Sequence, residues 1–214
     1  MLLDDQALER SSVVANCAMN RDRRLSGYGR ELGIDVAGMA RERPGFRWLD
    51  LCCGAGNALL ECAELVDDPR LRITGVDLVD FFASPTHPGV RFETASVASW
   101  APAHPVDLVT CVHGLHYVGD KLGLLTRAAS WLADDGLLVA NLATTSIRSA
   151  NGNPLGRRLT TALRSAGFQY DGRNHRIRCT GHRQPRLPFR YLGADDQAGP
   201  NYTGQPAVHS YYAH

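Results

Sequence analysis

The chain has 214 residues, 44% hydrophobic and 21% charged, with a formal net charge of +1. This is the make-up of one globular domain with one sizeable core, and the near-neutral balance argues against a general polyanion-binding role. No run approaches the roughly 18 apolar residues of a membrane helix. The start, Met-Leu-Leu-Asp-Asp, has neither region of a signal peptide, so a cytoplasmic location is expected.

In chain order, residues 4–19 are predicted to be helical, with Leu8, Val13, Val14 and Cys17 forming an apolar face. A polar, glycine-containing stretch over 20–30 carries Tyr28, and a second short helix is predicted over 31–41. The six cysteines (17, 52, 53, 62, 111 and 179) contain no C-x-x-C pair and read as buried, reduced thiols. The apolar run Trp48–Cys53 reads as a buried strand; it breaks at Gly54-Ala55-Gly56 and leads into a helix over 58–66. Such a strand, glycine turn and helix bring a ligand close to bare backbone and to the free N–H groups of a helix start. A dinucleotide fingerprint would need a third glycine where Leu59 stands. Asp50 inside the strand suits a ligand carrying an ammonium group better than a pyrophosphate.

A second strand over 71–78 contains Asp77, about 20 residues after the glycines, where a nucleotide-binding unit puts the carboxylate that accepts ribose hydroxyls. Strands three and four follow over 90–96 and 106–112; after the fourth comes His113-Gly-Leu-His-Tyr117. A helix over 120–133 with a buried leucine and alanine stripe, a fifth strand over 137–142 and an amphipathic helix over 154–166 continue the rhythm. Residues 175–180 and 186–192 read as two closing strands. The tail from 195 has the composition of disorder, although Tyr202, Tyr211 and Tyr212 favour docking on the domain. Lys121, the chain's single lysine, gives no mechanistic signal.

The stretch Leu49-Asp-Leu-Cys-Cys-Gly-Ala-Gly56 resembles motif I of the class I S-adenosylmethionine-dependent methyltransferases, and Asp77 falls where that family has its ribose acid. The resemblance implies an α/β, Rossmann-like, doubly wound and mostly parallel seven-stranded sheet with helices on both faces. It divides the chain into an N-terminal helical lid (1–45), the cofactor-binding domain (46–194) and a C-terminal tail (195–214). It implies that Asp50, Gly54, Gly56 and Asn57 hold the methionine end of S-adenosylmethionine and that Asp77 holds the ribose. Leu78, Ser96 and Val97 would frame the adenine, Ser96 standing where the family often has an acid, and Cys111 would border the reactive centre. Tyr28 and Tyr117 are candidate acceptor-binding residues.

Methyl transfer needs alignment and sometimes removal of a proton, and an imidazole titrates in the right range for that. His113 and His116 are therefore candidate general bases; the bland alternative for each is a histidine packed at a helix start. The element N-P-P-Y or D-P-P-Y, a cytosine-C5-type cysteine motif and a metal-binding acid cluster are all missing from the sequence. A small-molecule acceptor of specialised metabolism is favoured, with no metal, no membrane and no nucleic acid, and a homodimer stays open. The basic run from Arg173 to Arg190 could bind RNA only if it shared one face, and strand alternation allows about half of it to do so. Two rivals remain: an RNA or protein methyltransferase, and an enzyme of this fold that binds the cofactor but catalyses another reaction such as cyclisation. A nicotinamide-dependent dehydrogenase is weakened by Leu59 and Asp50.

Overall fold

The computed structural model describes residues 2–15, 22–84 and 86–214; the helix expected over 16–19, with Cys17, and the stretch at 20–21 lie outside them. The chain runs through α1 (Asp5–Glu9), α2 (Ser12–Ala15), α3 (Leu25–Leu32), α4 (Val36–Glu42), β1 (Arg47–Leu51) and α5 (Asn57–Leu65). It continues with β2 (Arg72–Asp77), β3 (Val90–Thr94), β4 (Val106–Cys111), α6 (Lys121–Ser130), β5 (Leu132–Asn141) and β6 (Ile147–Ser149). The last elements are α7 (Arg157–Ser165), β7 (Phe168–Asp171), β8 (Arg176–Thr180), β9 (Arg190–Asp195) and β10 (His209–Ala213).

Seven strands form one sheet in the order β3-β2-β1-β4-β5-β8-β7, parallel except for the last two. This is the mixed, Rossmann-like arrangement expected. Strand alternation splits the core in two. Trp48, Ile73, Leu108 and Val139 face α3, α4 and α5, whereas Leu49, Leu51, Val109 and Ala140 face α6 and α7. Leu59 can stand where a dinucleotide fold needs glycine because the strand opposite supplies the room. A Cβ on Gly75 of β2 would lie 2.7 Å from Leu59 Cδ2 and 2.8 Å from Cys53 Sγ.

Several expectations change. The strand expected over 175–180 does close the sheet as β8, but its partner at the edge is β7, not 186–192. Pro185 and Pro188 have no N–H to give a ladder, so strand structure resumes only at Arg190. β9 joins a second, three-stranded sheet, β6-β10-β9, whose middle strand is the tail that composition marked for disorder. Strand β5 starts at Leu132 rather than Leu137, because a register shift between Val106 and Leu108 absorbs Asp134-Asp135-Gly136.

Residues 25–30, expected to be part of a polar turn, are helical together with 31–32 because Tyr28 and Leu32, one turn apart, both bury completely. Helix α3 stops at Gly33 in the left-handed conformation (φ 64°), and Asp35 caps α4 through the Gly38 N–H. The basic run is partly spent here. Arg176 donates to Glu31 O at 2.9 Å and Arg178 to Leu32 O at 2.8 Å, satisfying carbonyls at the end of α3. Lys121 is fully buried, and its ammonium donates to Val118 O, Val208 O and Ser210 Oγ, pinning β10 to the start of α6. Among the described residues no helix is long and apolar enough to cross a membrane.

Candidate active site

The carboxyl ends of β1, β2 and β4 converge on one cavity, partly open to solvent. Its floor is Cys52, Gly54, Asp77 and Gly114, and its apolar walls include Leu78, Val79, Ala95, Val97 and Ala98. Arg23 and helix α1 cover it. The turn after β1 is bent by three left-handed residues, Cys52 (φ 57°), Gly54 (φ 62°) and Gly56 (φ 75°). Asp77 braces that turn, accepting from Gly54 N–H at 2.8 Å, and its other oxygen accepts from Val79 N–H of its own loop at 3.3 Å.

Beneath the turn, Asp50 is completely buried and accepts from Tyr28 Oη and Thr110 Oγ1, each at 2.5 Å. Trp48 Nε1 in turn donates to Thr110 Oγ1. Burial lifts the Asp50 carboxyl to about 6, against the pull of Arg23 and of the Thr110 and Tyr28 hydrogen bonds. Arg23 donates to Cys52 O at 2.6 Å, while its Nε is buried with no hydrogen-bond partner among the described residues.

Past β4, His113 also adopts a left-handed backbone (φ 58°), and its N–H reaches Asn141 Oδ1. Its Nε2 lies 3.3 Å from Glu31 Oε2 of α3. Burial lowers the His113 pKa, with Glu31 pulling the other way. His116, 5.7 Å away ring to ring, is driven down to about 3 by burial and then by His113, Lys121 and His175. Tyr202 from the tail stacks on His175 at 4.1 Å and meets His116 edge-on at 5.2 Å. Three imidazole nitrogens here, His113 Nδ1, His116 Nε2 and His175 Nδ1, are buried without a partner among the described residues. All three non-glycine residues with positive φ among the described residues, Cys52, His113 and His175, sit at this end of the sheet.

Of the residues singled out from sequence, Gly54, Asp77, Leu78, Val97 and Tyr117 line the cavity. Asp50 and Tyr28 lie behind it in one buried pair. Gly56 is packed under Phe92, where a Cβ would lie 2.1 Å from the ring. Asn57 Nδ2 donates to Asp22 at 3.4 Å at the surface, and Cys111 lies behind Gly114. Ser96 donates to Glu9 of α1. Arg23, Glu9, Glu31, His175 and Tyr202 carry no local motif, and only the folded chain brings them here. Among the described residues no cluster of three His, Cys, Asp or Glu side chains is arranged to hold a metal.

A family model described as a methyltransferase domain matches residues 19–180. Similar curated proteins include the trans-aconitate 2-methyltransferase of Enterobacter sp. (strain 638), 37% identical over 99 residues, covering 44% of this chain and 38% of that protein. The protein of the same name from Acidovorax sp. (strain JS42) is 31% identical over 97 residues, 44% of this chain and 37% of its own. The match thus spans well under half the length of these relatives. Among solved structures, the fold is shared with the magnesium protoporphyrin IX methyltransferase of Synechocystis PCC 6803 with bound S-adenosylmethionine. That likeness has a TM-score of 0.52 at 17% identity, over 79% of this chain and 88% of that one.

Proposed function

The chain belongs to the class I S-adenosylmethionine-dependent methyltransferase family, and from that premise we propose that it methylates an O, N or C nucleophile of a small molecule, with His113 as general base. The side chains around the cavity fit the family's cofactor. Asp77 offers a carboxylate to two ribose hydroxyls, and the walls from Leu78 to Ala98 suit a flat apolar ring. Arg23, with its buried and unpartnered Nε, suits the methionine carboxylate. When bound, S-adenosylmethionine supplies the electrophilic methyl on its sulfonium.

The observation that carries the base assignment is the Glu31–His113 pair beside Gly114, which itself lines the cavity. Glu31 holds the proton on Nε2 and so leaves Nδ1 as a bare, buried acceptor for a proton from the nucleophile. Because burial lowers the His113 pKa, the ring is neutral and able to accept at physiological pH. The N-terminal helices act as the lid over both ligands. Tyr202, stacked on His175 next to the base, favours a planar acceptor, and the Glu31 carboxylate disfavours a polycarboxylate such as trans-aconitate.

Calorimetric titration with S-adenosylmethionine and S-adenosylhomocysteine tests the cofactor half of this reading. Micromolar binding that Asp77→Ala weakens by about 100-fold supports it, since the hydrogen bond that braces the glycine turn and the local one to Val79 N–H both go with the carboxylate. No binding by the unaltered protein sinks it. Mass analysis after incubation with S-adenosylmethionine and a panel of planar hydroxyl compounds, with trans-aconitate alongside, tests the acceptor half. A product gaining the mass of a methylene from trans-aconitate alone would overturn the preference for an uncharged planar acceptor.

A further inference from the structure

The adenine end of the cavity poses a chemical problem. An exocyclic amino group entering it brings two N–H donors, and a buried donor without an acceptor is costly. Two residues past β3 stands Ser96, whose one proton and one of whose two acceptor sites are already used. Its Oγ accepts from Ala98 N–H at 3.1 Å, and its own proton is given to Glu9 Oε1. Glu9, at the end of α1, lines the same cavity as Leu78, Val97 and Ala98. A carboxylate has about four acceptor sites, and Ser96 uses one of them.

Helix α1 is fixed where it is by contacts outside the seven-stranded sheet. Leu3 makes a reciprocal backbone bridge with Ala194 of β9, Tyr191 Oη donates to Asp5, and Leu8 packs on Ala194 and Val208. The second sheet is thus a platform that presents Glu9 to the cavity from across the fold.

Resting on the reading that this cavity takes S-adenosylmethionine, we infer that Glu9 is the acceptor for the adenine amino group, with Ser96 orienting it. The carboxylate that the position after β3 lacks is delivered by the N-terminal helix, and it makes the site selective for a 6-amino over a 6-oxo purine. A 6-oxo group is itself an acceptor and would face the carboxylate with no proton between them.

The test is calorimetric titration of the unaltered protein, Glu9→Gln and Ser96→Ala with S-adenosylhomocysteine and with S-inosylhomocysteine, its 6-oxo analogue. The unaltered protein is expected to prefer the adenine ligand by at least about 10-fold, the range of a hydrogen bond to a charged group. Glu9→Gln, whose amide can donate to a 6-oxo group, should bring the two affinities within about 3-fold of each other, and Ser96→Ala should reduce the preference by less. Because the readout is a ratio within each variant, general loosening of α1 cancels. An unchanged ratio in Glu9→Gln, with or without weaker binding of both ligands, overturns the inference and leaves Glu9 as a latch for α1. Tight binding with no preference in the unaltered protein overturns it too. Failure of that protein to bind either ligand overturns the cofactor reading as well, which separates the two failures.

Discussion

Tyr28 Oη donates to the Asp50 carboxylate across 2.5 Å, between two groups with no measurable exposure to solvent. The tyrosine that looked like a candidate acceptor-binding residue is therefore a clamp beneath the glycine turn, standing edge-on to Trp48. Tyr28→Phe removes one of two donors from a buried acid and should cost about 1–3 kcal/mol of stability. S-adenosylhomocysteine affinity should change by less than about 3-fold. Denaturant unfolding and calorimetry on the same sample check this; full stability with lost ligand binding would return Tyr28 to the cavity.

Gly56 opens α5 with φ 75°, and a Cβ there would meet Phe92 Cε1 at 2.1 Å. Both the backbone and the space exclude a side chain. Gly56→Ala should lower the thermal midpoint by several degrees and weaken cofactor binding together, because Phe92 can move only by displacing Phe82, stacked on it at 4.7 Å. A stable variant with intact binding would show that the turn tolerates rearrangement.

What could be read in advance was local. A strand, a glycine turn, a helix and an acid one strand later are contiguous signals, and Gly54 and Asp77 do meet, at 2.8 Å. Asp50 and Tyr28 could not be placed that way, because their partnership spans 22 residues and depends on a helix in a stretch that reads as polar turn. The histidine cluster is harder still: Glu31, His113, His175 and Tyr202 come from four separate segments, and only the sheet order and the second sheet bring them together. One of the two closing strands is elsewhere than expected: Arg186–Leu192 has strand-like composition, yet Pro185 and Pro188 deny it a ladder, whereas 175–180 does form β8.

Lys121 carries a role that its isolation in the sequence hid. Its ammonium holds Val208 O and Ser210 Oγ of the tail, and Tyr212 Oη donates to Asp120 alongside. Burial lowers the Lys121 pKa to about 7, so the lysine is retained at a cost in desolvation. Lys121→Met keeps the stem and removes all three hydrogen bonds. Proteolysis within 195–209 should accelerate at least several-fold while the seven-stranded sheet stays resistant. A digestion pattern identical to that of the unaltered protein would count against the pinning role.

Glu31 raises the pKa of His113 while burial lowers it. Glu31→Gln should therefore push the His113 titration further below that of the unaltered protein, as followed by the ring proton shifts in NMR. The sign follows from losing the negative charge 3.3 Å from Nε2. An upward shift, or none, would mean that the two side chains do not pair in solution.

His116 and Asp50 make opposite contributions to acid stability. His116 is neutral in the fold down to about 3, whereas the unfolded chain protonates near 6.5, so its contribution is present above 6.5 and is lost as the pH falls toward 3. Asp50 stays protonated in the fold up to about 6 but ionises near 3.8 when unfolded, so its contribution is present below 3.8 and is lost as the pH rises through 6. Between about 4 and 6 the two slopes oppose each other and largely cancel. His116→Phe keeps a ring against Tyr202 and removes one of them. Relative to the unaltered protein, this variant should gain about 1 kcal/mol for each pH unit from 6 down to 4, one proton's worth, with the remaining carboxylates cancelling in the comparison. Urea midpoints for both proteins at pH 4.5, 5.25 and 6 measure that difference. A difference independent of pH would mean that His116 titrates normally, and that its buried Nε2 finds a partner in solution.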